Sequence, residues 1–234
     1  MPMTDPAPKK KRAATVTRRY GGLDAAERRR ERQKKLVDAG LEIFGRKGYH
    51  LSTVRDVCTE AGLTERYFYE SFRTLGELFD AVYADLRGLL QQRIIETMLK
   101  QGMSSPSPLD LGRATLRAWY TFLQEDPRRA QVMLIDAVGV SDSGMRGAEA
   151  AIVELGALFK GYMTMLYPKL AETGYDVDTM IAALTGATIY IAKNWIRSGF
   201  KMSIDEVLLH NMAIYQSLDL LYRTNTEALA ASST

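Results

Sequence analysis

The chain is short of the residues that most catalytic and metal chemistry requires. It holds one cysteine, Cys58, and two histidines, His50 and His210, in 234 residues. A single cysteine excludes an internal disulfide framework and fits a reducing compartment. The two histidines are far apart, and there is no His-Glu-x-x-His, no Walker A run and no GxGxxG following a strand. No metal, no cofactor and no enzymatic activity are therefore expected. The longest nearly apolar run, Ala182 to Ala192, stops at Lys193 and is too short to span a bilayer. The N-terminus is basic and polar with no apolar stretch, so no secretory signal is expected. These features lead to the expectation of a cytoplasmic protein with no membrane partner. Strand alternation, tandem repeats and a low-complexity core are absent too, which leaves an all-α chain long enough to bury a core.

What the sequence does have is concentrated between residues 53 and 72. Ser52 or Thr53, a hydroxyl N-cap, opens a short helix that runs to Ala61. Gly62 follows where the chain must reverse, and a residue without Cβ adopts positive φ at little cost. Thr64 then caps a second short helix. Val57, Cys58, Ala61, Leu63 and Phe68 form the apolar set that locks the pair. The outward face of the second helix carries Thr64, Glu65, Arg66, Tyr67 and Tyr69. Such a pair reads as a helix-turn-helix, whose second helix lies in a DNA groove. Cys58, on the inward face, is either a small buried residue or a redox sensor, and free cysteine commonly packs as a small hydrophobe.

Upstream, Leu36, Val37, Gly40, Leu41, Ile43 and Phe44 recur at helical spacing, with Gly48 as a stop signal. Downstream, Phe72 and Thr74 lead into Leu78, Phe79, Val82, Tyr83 and Leu86. This order resembles the TetR family of bacterial transcription regulators. The matching positions are Ala39, Phe44, Gly48, Tyr49, Thr53, Val54, Val57, Ala61, Gly62, Leu63, Thr64, Phe68, Tyr69, Phe72 and Leu78, covering residues from about 32 to 80. Two departures stand out. Where the family commonly has a phosphate-touching Lys after Phe72, this chain has Leu75. The recognition helix carries Glu65 and Arg66 in place of the frequent Lys-Gly, and Glu70-Ser71 just before Phe72. Carboxylates near phosphates weaken the backbone term of DNA affinity.

Cations are supplied elsewhere. Residues 1–35 hold twelve Lys or Arg against four Asp or Glu, a net +8, while the whole chain is +3, so residues 36–234 carry −5. This asymmetry is the one expected of a nucleic-acid binder. Arg28, Arg29 and Arg32 fall in the first turns of helix one, near the expected duplex backbone. Residues 1–24 read as a disordered basic arm, which either reaches into a minor groove or supplies only general attraction; a nuclear signal is a third reading of Lys9 to Arg12.

Beyond Phe72 every strong segment has helical period. Helices are expected at about 74–101, 109–124, from Asp126-Pro127 through Ala137, through Ile152 and Leu166 to Pro168 or a little beyond, at 177–198 and at 203–223, about nine in the whole chain. The organisation expected is a disordered arm over 1–24, a three-helix helix-turn-helix domain over 25–73, a helical ligand-binding and dimerisation domain over 74–225, and a flexible tail over 226–234.

The last two helices are the expected dimer surface, through Ile181, Leu184, Thr188, Leu208, Met212, Tyr215, Leu218 and Tyr222. The alternative is that these faces pack within one chain. The resemblance implies a four-helix dimer interface from this pair, and a dimer sets two recognition helices about one helical turn of DNA apart. It also implies a ligand pocket among the middle helices. Candidates are Trp119, Tyr120, Phe122, Met133, Phe159, Tyr162, Met163, Met165, Tyr190, Asn194 and Trp195, with Arg113 and Arg117 either meeting an anionic head group or lying solvated. The expected function is a homodimeric regulator, a repressor released from a palindromic double-stranded operator by a small apolar or amphipathic effector. In it Thr64, Glu65, Arg66 and Tyr67 face bases, and Thr53 and Tyr69 hold phosphates. The competing reading is a ligand-independent DNA-binding or architectural protein whose C-terminal domain only dimerises.

Overall fold

A computed structural model of the chain describes residues 24–102, 107–138 and 174–232, together with 160, 164, 167–169 and 172. The described residues contain eight α-helices and no strand. They are α1 (Ala25–Lys47), α2 (Val54–Ala61), α3 (Glu65–Tyr69), α4 (Leu75–Gly102), α5 (Pro108–Glu125), α6 (Pro127–Ala130), α7 (Val177–Arg197) and α8 (Ile204–Ser232). The expected basic arm and the helix expected through Ile152 to Leu166 fall largely outside the described residues. No helix among those described is long and apolar enough to cross a membrane.

The helix ends follow local chemistry. Asp24 and Glu27 form a reciprocal capping box at the start of α1, so the helix begins ahead of the arginine cluster. Thr53 and Asp56 do the same for α2. Ser107 caps α5 with Pro108 in its first turn, and Asp126 and Pro127 repeat the device for α6.

Two elements depart from expectation. After α6 the chain does not continue as a regular α-helix: Gln131–Ile135 is a π turn and Asp136–Val138 a 3-10 turn. Val132, Met133 and Leu134 are all buried in succession, which a regular helix cannot achieve on one face. Asp136 is also tied to the N-terminal domain, where its carboxylate accepts from the Tyr49 backbone N–H at 3.0 Å and from Gln131 Nε2 at 2.9 Å. The second departure is α8, which runs on to Ser232 rather than ending near Arg223. Glu227, Ala228, Leu229, Ala230 and Ala231 are strong helix formers and sustain it.

One hydrophobic core runs through both halves. Leu36, Phe44, Val57, Phe68 and Phe72 of the first three helices and the segments joining them meet Leu78, Phe79 and Val82 of α4. Further along α4, Leu86 and Leu90 belong to the same core as Tyr120, Leu123, Trp195 and Leu208. The first two turns of α4 thus complete the helix-turn-helix, and the rest of that helix serves the second half. Phe44, Tyr49 and Phe79 form an aromatic triangle with centroids 5.2–5.6 Å apart. α6 docks on α1 at Gly45, where any Cβ would collide with the backbone and side chain of Arg128.

Candidate nucleic-acid interface

The geometry of the helix-turn-helix is set from α2 upward. Gly62 is left-handed, with φ 63 and ψ 33, and closes α2 by donating its N–H to Cys58 O and Thr59 O. The Leu63 N–H also reaches Cys58 O, at 2.9 Å, which holds the turn tight. Val57, Cys58 and Phe68 are buried between the helices. Burial, and then the Glu65 carboxylate, push the Cys58 thiol up, so it stays a protonated packing group near neutral pH.

With Phe68 fully buried, the rest of α3 faces outward. Glu65 and Arg66 are exposed, Tyr67 is 36% and Tyr69 58% exposed. Arg28 and Arg29 are exposed on α1, and Arg32 is partly buried against α3. The Arg32 guanidinium carbon sits 4.6 Å from the Tyr67 ring centroid, a cation–π contact.

Glu70 gathers the arginines. Arg32 Nη2 lies 3.7 Å from its carboxylate and Arg66 Nε 3.3 Å, while Arg29 Nη2 donates to its backbone carbonyl at 3.3 Å. From sequence Glu70 is a carboxylate that weakens phosphate contacts; in the structure it anchors three cations. The i, i+4 spacing of Arg66 and Glu70 on one helix was the available signal.

Thr53 and Thr64 divide in role. The Thr53 hydroxyl donates to Asp56 Oδ2 at 2.7 Å and accepts from the Asp56 N–H at 3.2 Å, so it is committed to the cap. Lys47 Nζ lies 2.7 Å from the same carboxylate. These partners, Lys47 first and then Thr53, hold Asp56 down to about 2. Thr64, by contrast, makes no side-chain capping bond and remains exposed.

Of the expected pocket residues, Trp119, Tyr120, Phe122, Met133 and Trp195 belong to one hydrophobic core, while Tyr190 and Asn194 lie outside it. Tyr120 and Trp195 are fully buried and pack edge to face at 5.4 Å. Trp195 Nε1 donates to Met202 O at 2.7 Å, and the Tyr120 hydroxyl accepts from Asn211 Nδ2 at 2.7 Å. Burial pushes the Tyr120 hydroxyl up to about 12. Phe122 of α5 is covered by Arg129 of α6, whose guanidinium carbon lies 4.4 Å from its ring centroid. Trp119 and Met133 are buried in the core. Tyr190 and Asn194 lie on the exposed face of α7, where they face away from the core. Arg117 is paired with Asp205, and Arg113 is exposed. Phe159, Tyr162, Met163 and Met165 lie outside the described residues. A cleft of about 450 Å³ does exist, but Lys160, Thr164, Tyr167, Tyr175 and Asp176 line it, none of them among the candidates.

The expected dimer contacts also need correction. Ile181, Leu184, Thr188, Leu208, Met212 and Leu218 are buried inside the chain, and Tyr215 and Tyr222 are half-buried. These side chains pack α7 and α8 onto the core and onto each other. The faces left outward are Ala182, Ala183, Gly186 and Tyr190 on α7, and Leu209, Ala213 and Leu220 on α8.

Residues 36–82 match the model of a family described as bacterial regulatory proteins, tetR family. The HTH-type transcriptional regulator YfiR of Bacillus subtilis (strain 168) is 32% identical over 77 residues, 33% of this chain and 32% of that protein. The match thus spans about a third of that relative's length. Among solved structures, the fatty acid degradation regulator FadR from Bacillus halodurans has the same fold, with a TM-score of 0.67 at 14% identity over 82% of this chain and 94% of that one. FadR from Bacillus subtilis, in complex with stearoyl-CoA, gives 0.65 at 15% identity over 77% and 96%.

Proposed function

Because residues 36–82 make this chain a member of the TetR family of bacterial transcriptional regulators, we propose that it is a homodimeric, ligand-released repressor of a palindromic operator. The observation that carries the reading is α3 itself: Phe68 is buried, and every other side chain of the helix is presented outward beside a cluster of α1 arginines. The basic residues of α1 lie against the duplex backbone and supply the sequence-independent affinity. Tyr69 touches phosphate, and the first residues of α3 meet base edges. On this reading residues 25–73, with the first turns of α4, form the DNA-binding unit, and the rest of the chain senses ligand and dimerises.

The partner copy docks on the outward faces of α7 and α8. Ala182, Ala183 and Gly186 are small enough for helices to approach closely, and Tyr190, Leu209 and Leu220 are large apolar groups with high exposure that a dimer covers. The effector is an amphipathic molecule with a long apolar chain. The likeness to a regulator solved with stearoyl-CoA makes a fatty acyl thioester the first candidate to test.

Release requires coupling between the two halves. Arg128 of α6 pairs with Glu42 of α1 and with Asp126, and Asp136 grips the Tyr49 N–H. A ligand that moves α6 therefore moves the helix-turn-helix. To turn an operator-bound population from 99:1 to 1:99, the ligand must favour the released state by about 5.5 kcal/mol.

The test is operator binding followed during titration with stearoyl-CoA and with free stearate. Release by either supports the sensor. Retention of DNA by ligand-saturated protein favours the second reading, a ligand-independent DNA-binding protein, which the close packing of Tyr120 against Trp195 also supports.

A further inference from the structure

The two carboxylates of the recognition segment differ in what surrounds them. Glu70 is neutralised: Arg66 and Arg32 both lie against its carboxylate. Glu65 is exposed, and among the described residues no hydrogen bond or ion pair engages its carboxylate. It occupies the first position of α3, the part of a recognition helix that reaches base edges. The neighbouring cations are engaged elsewhere, because Arg66 turns back to Glu70 and Arg32 stacks on Tyr67.

Resting on the DNA-binding reading above, we infer that Glu65 reads a cytosine in each half-site by accepting a hydrogen bond from the groove-facing N4 proton. The choice of base follows from groove chemistry. An ionised carboxylate only accepts. Guanine presents N7 and O6, both acceptors, and thymine presents O4 beside a methyl group, so both repel or exclude it. Adenine offers its N6 donor but sets the N7 acceptor next to it. Cytosine alone offers the N4 amine without an adjacent acceptor on the same base. Glu65 thus costs general phosphate affinity and returns discrimination at one base pair.

The inference accounts for why an acidic residue without a cationic partner stands at a DNA surface whose other carboxylate, Glu70, is paired with arginines. A carboxylate in the first turn also favours the helix dipole. That role leaves operator sequence unaffected, so the two are separable by specificity.

The experiment is selection from a random duplex pool with the full-length chain and with Glu65→Gln and Glu65→Ala, at one stated salt concentration. Circular dichroism and the mass of the dimer verify that each variant is folded. The wild-type consensus is expected to contain one cytosine per half-site that Glu65→Ala no longer selects. Glu65→Gln is expected to move the preference toward adenine, which glutamine pairs through N6 and N7. As a readout that does not depend on a protein variant, N4-methylcytosine at that position keeps Watson–Crick pairing but removes the groove-facing proton. It should weaken wild-type binding about fivefold or more and leave Glu65→Ala unchanged. Identical consensus sequences for wild type and both variants overturn the inference while leaving the regulator reading intact. Failure of the wild type to enrich any sequence overturns the regulator reading, and this inference with it.

Discussion

Arg32 of α1 lies over the ring of Tyr67 in α3, its guanidinium carbon 4.6 Å from the centroid, and the same side chain reaches the Glu70 carboxylate at 3.7 Å. Through this pair the first helix and the recognition helix present one preorganised surface. Glu70 fixes the positions of its cations but offsets their charge. Glu70→Gln therefore frees Arg66 and Arg32 and removes one negative charge that faces phosphate. Operator binding should tighten at low salt, and the slope of log affinity against log salt should steepen by about one. Binding measured by anisotropy across a salt series checks this; an unchanged slope means that Glu70 lies away from the duplex.

Arg66→Ala and Tyr69→Ala should each weaken operator binding by about 1–3 kcal/mol, the range for a direct contact. Both side chains are exposed and outside the core, so helicity and dimer mass should stay at wild-type values. Retained affinity in both variants would remove α3 from the interface.

Asp136 joins the two halves of the chain from a largely buried position, accepting from Tyr49 and Gln131. Asp136→Ala leaves the Tyr49 N–H without its acceptor and should cost about 1–3 kcal/mol of stability in urea unfolding. Asp136→Asn keeps an acceptor oxygen and should cost less. If the two variants are equally stable, the contact carries no structural weight.

Asp56 gives the helix-turn-helix an acid limit. Its folded pKa is about 2, below the ordinary 3.8, because Lys47 and Thr53 bind the ionised form. A depressed carboxylate stabilises above its unfolded pKa and loses that contribution as pH falls through the folded value. The stability difference between wild type and Asp56→Asn should therefore be constant above about pH 4 and shrink toward pH 2. Carboxyl NMR titration should also show Asp56 moving back up toward 3.8 in Lys47→Met, and an unmoved value would remove Lys47 as the main cause.

The helix-turn-helix was legible because its determinants are local. Gly62 must be left-handed, Thr53 must cap, and Phe68 must turn inward, and each requirement falls within a few residues of the next. The faces of α7 were not legible. Ile181 and Leu184 alternate with Ala182, Ala183 and Gly186, so the pattern declares a helix with two apolar sides but not which one meets the core. In the structure the larger side chains win the interior, and the small residues with Tyr190 are left outside. The break into π and 3-10 turns after α6 was equally hidden, since Asp136 answers to Tyr49, 87 residues away in sequence. The arginine anchor at Glu70 needed α1 and α3 in register, which periodicity alone does not supply.

Deleting residues 1–20 removes Lys9, Lys10, Lys11, Arg12, Arg18 and Arg19 while leaving Asp24 to cap α1. If the arm touches phosphates, the truncated chain should show a shallower salt dependence of operator binding than the full one. Equal slopes would confine the electrostatic contacts to the folded domain.

The most direct measurement is selection of bound fragments from a random duplex pool by the full-length chain at one stated salt concentration, with and without stearoyl-CoA. The expected result is an inverted repeat whose half-sites are spaced for two recognition helices in successive major grooves, about 34–36 Å apart, and which the ligand releases. A pool that shows no enriched sequence even at low salt would contradict the assignment of α3 as a DNA-reading helix.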